Sequence, residues 1–145
     1  MAEGDGAIYN CLKAELFRGT HNLAAGGNAL YMALMHGYVP DIDLDTTFAG
    51  IATEYLTALG YTAGGKLITG QAVTQDNVNN RGKFDANDVA WAGLGPLLPV
   101  NPPSHCVLYN LTAGGKLICY WELGFTPTAG STYTLVFGTA IIYLT

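Results

Sequence analysis

Charged side chains are scarce in this chain. Asp, Glu, Lys and Arg make up 12% of its 145 residues, about half the share that is typical of soluble domains, whereas hydrophobic residues make up 50%. So little charge cannot cover the surface of a domain of this size, and large exposed apolar patches are usually covered by a partner. We therefore expect self-association, as a dimer or a trimer.

Basic residues are especially few, and the formal net charge is −5. A protein that binds nucleic acid needs a basic face to neutralise the phosphate backbone. The six basic residues are instead scattered along the chain, at Lys13, Arg18, Lys66, Arg81, Lys83 and Lys116. We therefore expect no contact with nucleic acid.

Signals for membrane insertion, export and disulfide pairing are also missing. The long uncharged stretches at residues 89–115 and 123–145 are interrupted by proline and glycine, so neither is predicted to form a membrane helix of about 20 apolar residues. The acidic opening lacks the basic and then apolar order of a signal peptide. Three cysteines without close pair spacing, Cys11, Cys106 and Cys119, favour reduced thiols in a protein made in a cytoplasm.

Residues in catalytic arrangements are not apparent. The three histidines, His21, His36 and His105, are far apart and have no metal-ligand spacing. The two serines lie outside any Gly-x-Ser-x-Gly elbow. Cys106 follows His105, but neighbouring strand residues point to opposite faces, so we expect Cys106 inward and His105 outward. The sequence predicts no catalytic residue, no cofactor and no enzyme activity.

An acidic segment contains Asp41, Asp43 and Asp45, and alternate carboxylates can converge on a calcium ion. Thr46 stands where an EF-hand loop needs glycine, and Ala52 stands where it needs a bidentate Glu. This pattern favours a surface acidic loop, and a weak cation site of another type stays open.

One heptapeptide, Thr-Ala-Gly-Gly-Lys-Leu-Ile, occurs at residues 62–68 and again at residues 112–118. Residues 60–66 also match the Gly-x-x-x-x-Gly-Lys core of a phosphate-binding loop. Leu67 replaces the required Ser or Thr, however, and the following residues alternate as in a strand and not as in a helix. Both copies are therefore predicted to be turns that lead into strands.

The remaining patterns predict a single, mainly β domain over residues 1–145, an antiparallel β-sandwich of jelly-roll type. Helical spacing from Ala7 to Phe17 predicts a short helix within the segment 1–20. Ala29 to Met35 is predicted to be a strand that is apolar on both faces. Further strands are predicted near residues 66–74, 81–85, 88–92, 104–110, 116–123, 132–138 and 140–144.

Surplus aromatic and apolar residues are the candidates for a protein interface. In the strand at 116–123, Leu117, Cys119, Trp121 and Leu123 are predicted to face the core. Trp91 precedes a proline-rich surface loop at residues 94–103 and is expected to anchor an interface, so that its truncation spares the fold. The interface candidates are Trp91, Leu94, Leu97, Leu98, Tyr31 and Tyr38.

Five segments together resemble a group of small structural proteins of tailed bacteriophages. They are residues 60–65 (Gly-Tyr-Thr-Ala-Gly-Gly), 80–81 (Asn-Arg), 84–91 (Phe-Asp-Ala-Asn-Asp-Val-Ala-Trp), 106–109 (Cys-Val-Leu-Tyr) and 117–124 (Leu-Ile-Cys-Tyr-Trp-Glu-Leu-Gly). The apolar loop at 94–103 and the second Thr-Ala-Gly-Gly copy depart from that group.

The resemblance implies a virion component, made in the host cytoplasm and located on the capsid surface. Within that group it points to a β-sandwich decoration or cement protein that contacts the major capsid protein. Two alternatives stay open. A tail or fibre component would be present in a handful of copies per particle and not in hundreds. A carbohydrate-binding module would expose its aromatic residues in a row on one sheet.

Overall fold

The computed structural model describes residues 6–51, 53–55, 61–94, 103–124, 130–138 and 140–145. This part of the chain contains ten strands, one α-helix and one 3-10 helix, Phe48–Gly50. The helix is α1, Asn10–Phe17. The strands are β1 Gly6–Ile8, β2 Leu30–His36, β3 Lys66–Leu67, β4 Ala72–Asp76, β5 Arg81–Asp85, β6 Val89–Leu94, β7 Pro103–Asn110, β8 Lys116–Glu122, β9 Ser131–Leu135 and β10 Ile142–Leu144.

The strands form three antiparallel sheets. The largest has the order β1-β8-β7-β2-β3, the second has the order β10-β5-β4, and the third pairs β6 with β9. The prediction of a mainly β, sandwich-like fold with one short N-terminal helix is confirmed.

Both faces of the large sheet are buried, which gives the protein two cores. The main core lies between this sheet and the two smaller sheets, and it includes Met32, Leu34, Phe84, Trp91, Cys106, Leu108 and Cys119. The second core lies on the opposite face and includes Tyr9, Met35, Tyr38, Ile51, Val107, Tyr109 and Tyr120. The prediction that the strand from Ala29 to Met35 is apolar on both faces is confirmed, because β2 contributes to both cores.

A bulge in β8 changes which side chains face the main core. Leu108 of β7 lies opposite Cys119, but Tyr109 lies opposite Leu117, so Ile118 is an extra residue. Ile118 and Cys119 both belong to the main core, whereas Leu117 belongs to the second core. The prediction that Leu117 shares a face with Cys119 was therefore wrong, because strict alternation along the strand does not reveal a bulge.

Several element boundaries also differ from the predicted ones. The helix begins at Asn10, because residues 6–8 pair with β8 as a strand. The strand predicted at 66–74 is divided into β3 and β4, and Gly70 lies between them with a φ of 68°. The proline-rich loop at 94–103 falls mostly outside the described residues.

Both copies of the repeated heptapeptide form turns that lead into β3 and β8, as predicted. Gly64 and Gly65 have φ values of 89° and 80°, and Gly114 and Gly115 have values of 70° and 79°. These values lie in the left-handed region that favours glycine. At Gly65 space is limiting too, because an added Cβ would lie 2.0 Å from the carbonyl oxygen of Met32.

Candidate functional site: an apolar cleft beside the helix

An apolar cleft of about 270 Å³ lies between α1, the loop that follows it, and the sheet formed by β10, β5 and β4. We call it the α1 cleft. Its lining residues come from four segments of the chain: Leu12 and Leu16 from α1, His21, Asn22, Leu23 and Ala24 from the loop, Val73, Gly82, Lys83 and Phe84 from β4 and β5, and Ile142 and Leu144 from β10.

The loop wall of the cleft is held in place by side-chain amides. The Asn28 Oδ1 accepts a hydrogen bond from the backbone N–H of Asn22 at 2.7 Å, and the backbone N–H of Asn28 donates to the Asn22 carbonyl at 2.8 Å. The Gln71 Nε2 also donates to the carbonyl oxygens of Leu23 and Asn28. These bonds tie the loop to the chain just before β4, so we expect a preformed cleft.

The tautomer of His21, at this apolar wall, is fixed by its neighbour. Its Nδ1 lies 2.9 Å from the Asn110 Nδ2. The orientation of the Asn110 amide is fixed because its Oδ1 accepts the backbone N–H of Ala113 at 3.0 Å. The Nδ1 of His21 must therefore accept, so in the neutral ring Nε2 carries the proton.

The Nε2–H of His21 is buried and has no hydrogen-bond partner within the described residues. The side chain is 8% exposed, and burial lowers its pKa below the usual value. His21 is therefore a neutral donor at physiological pH. A buried donor left without a partner costs about 1–3 kcal/mol, and this nitrogen is itself closed off from the surface of the cleft.

The mouth of the cleft exposes apolar surface. Val73 is 54% exposed and Leu144 is 38% exposed, although both line the cleft. Lys83 adds a single charge at the edge. The arrangement suits an apolar group, such as an aliphatic or aromatic amino-acid side chain.

The sequence-predicted interface residues lie elsewhere. Trp91 and Leu94 are fully buried, and the Trp91 ring stacks on Tyr133 with centroids 6.0 Å apart. Trp91 is therefore a core residue in the folded chain, and the expectation that its truncation spares the fold is corrected. Leu97 and Leu98 lie outside the described residues.

Trp121, which was predicted to lie in the core, is only partly buried and packs against the main core, with its ring centroid 5.9 Å from that of Phe137. Tyr31 is partly buried, and Tyr38 is 7% exposed. The structure brings neither tyrosine to the α1 cleft.

Tyr38 is part of a buried chain of hydroxyl groups. The hydroxyls of Tyr9 and Tyr38 lie 2.7 Å apart, and the Tyr38 hydroxyl donates to the Asp45 Oδ2 at 2.6 Å. Burial, together with this contact to the carboxylate, raises the pKa of Tyr38 above its usual value. These hydrogen bonds hold the loop after β2 against the second core.

The carboxylates of the acidic loop bond to the loop itself. The Asp41 Oδ1 accepts the backbone N–H groups of Asp43 and Leu44 at 3.0 Å each, and the Asp45 Oδ2 accepts the N–H of Asp41 at 2.9 Å. The Asn10 side-chain amide donates to Asp43. Within the described residues, no group of three or more His, Cys, Asp or Glu side chains could hold a metal ion.

The side-chain carboxylate of Glu54 contacts the first Thr-Ala-Gly-Gly turn. The Glu54 Oε1 accepts the backbone N–H of Gly64 and the Tyr61 hydroxyl at 2.7 Å. This carboxylate thus already accepts a hydrogen bond from an N–H group that a nucleotide phosphate would need. Lys66 lies in the exposed strand β3 and not at a helix N-terminus. This geometry agrees with the predicted turn.

His105 and Cys106 point to opposite faces of β7, as predicted. Cys106 lies in the main core, and burial raises the pKa of its thiol to about 12. His105 was expected to face outward, yet it is 8% exposed, because the rings of Tyr38 and Tyr120 cover it at centroid distances of 5.7 and 5.8 Å. Its Nδ1 lies 3.0 Å from the Ser104 Oγ.

No known protein-family model, curated protein or solved structure matches this chain. Among the residues that the structure describes, no helix has the length and apolar character needed to cross a membrane.

Proposed function

We propose that this chain is a viral structural protein of the capsid decoration or cement type. It binds the outer face of a tailed-phage head and stabilises the joints between major capsid protein subunits. The resemblance of residues 60–65, 84–91 and 117–124 to small phage structural proteins supports the class. Such a protein acts through buried contact area and not through turnover.

The α1 cleft is the observation that carries the proposal. Its mouth exposes Val73 and Leu144, and apolar pockets of this kind receive the anchor side chains of protein partners. An inserted capsid segment would bury this apolar surface. This gain favours a peptide segment with an apolar side chain as the occupant.

A tail or fibre component is the second candidate within the same class, and copy number separates the two. A carbohydrate-binding module is less well supported. Of the tyrosines that could form a sugar platform, Tyr9, Tyr38, Tyr109 and Tyr120 are at most 7% exposed. The Tyr109 hydroxyl also donates to the Gly64 carbonyl at 2.7 Å, so these rings stabilise the second core.

Particles of a tailed phage that encodes this chain provide the test. Quantitative mass spectrometry counts the copies per particle, and cryo-electron microscopy locates them. We expect hundreds of copies on the head surface. A handful of copies on the tail would support the second candidate, and absence from purified particles would refute both.

The contribution of the cleft is tested by adding purified variants to heads that lack the protein. Leu144→Asp places a charge at the mouth of the cleft, and we expect attachment to weaken by tenfold or more. Val78→Asp is the matched control, because Val78 is 90% exposed in the turn between β4 and β5 and does not line the cleft. Equal attachment of both variants would argue against the cleft.

A further inference from the structure

In the part of the chain that the structure describes, strand β4 has one unpaired edge. It pairs with β5 over Ala72–Asp76 and is the last strand of its sheet. Ala72, Val73, Thr74 and Gln75 are all exposed, and within the described residues the backbone of β4 makes no hydrogen bond outside this hairpin. A row of backbone donors and acceptors is thus open to another strand.

The usual protections of an edge strand are missing from β4. It contains neither lysine nor proline, and its register with β5 has no bulge. Among the other edge strands, β1 and β10 are three residues long and β3 is two residues long. Strand β9 is as long as β4, but its pairing with β6 is irregular between Trp91 and Leu94. The open edge of β4 is long enough and regular enough to pair.

The hairpin that presents this edge is held together by polar contacts at its turn. The carboxylate of Asp76 accepts hydrogen bonds from the backbone N–H and the side-chain amide of Asn79 and from the Arg81 Nε at 2.9 Å. These bonds, those of Asn79 first, lower the pKa of Asp76 to about 2. The Arg81 guanidinium lies over the Tyr143 ring of β10, 3.7 Å from its centroid. A preorganised strand loses little entropy when it pairs.

We propose that β4 pairs with β4 of a second copy of this chain, antiparallel and about a two-fold axis at Thr74. In this register Thr74 faces Thr74 of the other copy, Val73 faces Gln75, and Ala72 faces Asp76. No like charges oppose each other, and Thr–Thr is a favourable cross-strand pair. The segment is therefore complementary to itself, as the interface of a two-fold dimer must be.

The pairing joins the three-stranded sheet β10-β5-β4 of one copy to the same sheet of the other copy, which gives one sheet of six strands. A two-fold axis perpendicular to that sheet keeps equivalent side chains on the same face, so Val73 and the α1 cleft of both copies open on one side. The inference does not depend on the capsid proposal, because the isolated chain dimerises whatever its clefts bind.

Sedimentation of the purified chain over a range of concentrations is the first test, and we expect a reversible dimer. Thr74→Glu should weaken the dimer by tenfold or more, because two glutamates would face each other across the axis. The same change should not destabilise the fold of the monomer, because Lys83 lies opposite Thr74 in the hairpin and has the opposite charge to the new glutamate. Thr134→Glu, at an exposed position in β9, is the control and should dimerise like wild type.

Mixing experiments test the two-fold register directly. Thr74→Lys alone should also be monomeric, but mixed with Thr74→Glu it should give a heterodimer, because Lys and Glu then face each other. Under mild oxidation Thr74→Cys should form a covalent dimer, whereas Gln75→Cys, which would face Val73, should not.

A wild-type chain that stays monomeric up to millimolar concentration would overturn the proposal. So would a dimer that tolerates Thr74→Glu, or one that Thr134→Glu abolishes. Failure of attachment to phage heads would leave these measurements unaffected, so the two proposals fail independently.

Discussion

Trp91→Ala removes the largest fully buried side chain of the main core. Truncating a buried tryptophan costs about 3–5 kcal/mol, and loss of the stack on Tyr133 belongs to that cost. A domain of this size is stabilised by only about 5–15 kcal/mol, so the variant should lose a large share of its stability. At about 2–4 °C per kcal/mol, its Tm should fall by roughly 6–20 °C.

Circular dichroism is the appropriate assay, because the variant lacks one of the two tryptophans that fluorescence would follow. Trp91→Phe is the matched variant. It keeps an aromatic ring in the stack and removes a buried Nε1–H that has no partner within the described residues, so it should cost much less than the alanine. Trp121→Ala should also cost less, because Trp121 is only partly buried.

The order of the three variants tests the reasoning. If Trp91→Ala melts like wild type, or if Trp121→Ala is the more damaging alanine variant, then the positions of the two rings relative to the main core have been misjudged. If Trp91→Phe is as unstable as the alanine variant, stacking and volume do not explain the contribution of Trp91.

Three further predictions concern the turns and the histidines. Gly65→Ala should destabilise far more than Gly114→Ala, because only the first adds a clash with the β2 backbone to the unfavourable φ; equal urea midpoints would contradict this. Burial lowers the pKa of His21 and His105 in the folded state, whereas histidines in the unfolded chain keep the ordinary pKa of 6.5. The unfolded chain therefore binds more protons below pH 6.5. Urea denaturation should show stability that is constant above about pH 7.5 and falls as the pH drops below 6.5; a rise on acidification would count against it. Lys66→Ala should change stability by less than about 0.5 kcal/mol, and calorimetry should detect no Lys66-dependent ATP binding.

Local chemistry made the turns and the doubly buried strand predictable. Gly-Gly pairs need a left-handed backbone, and β2 has apolar residues at consecutive positions because it lies between two cores. Strand β1 was missed because its partner strand, and not its own periodicity, makes Gly6–Ile8 extended. The bulge at Ile118 was missed for a similar reason, since it is a property of two strands together.

The α1 cleft could not be predicted because its walls come from three parts of the chain that are distant in sequence, residues 12–24, 73–84 and 142–144. Leu12 and Leu16 gave only a weak signal of an apolar helix face. Trp91 was assigned to an interface although it is fully buried. Trp121 was assigned to the right core but is only partly buried there, because the pattern of a single strand does not show how deeply a ring is buried.

The two buried thiols have a practical consequence. Cys106 and Cys119 are free and buried in the main core, and burial raises the pKa of both. Because the thiolate is the reactive form, an alkylating reagent reaches them only in molecules whose core has opened, whereas Cys11 is partly exposed. Intact-mass measurement should therefore separate singly labelled closed molecules from triply labelled opened ones. The labelling rate then reports core opening without any introduced probe, for the free chain and for the chain in an assembly.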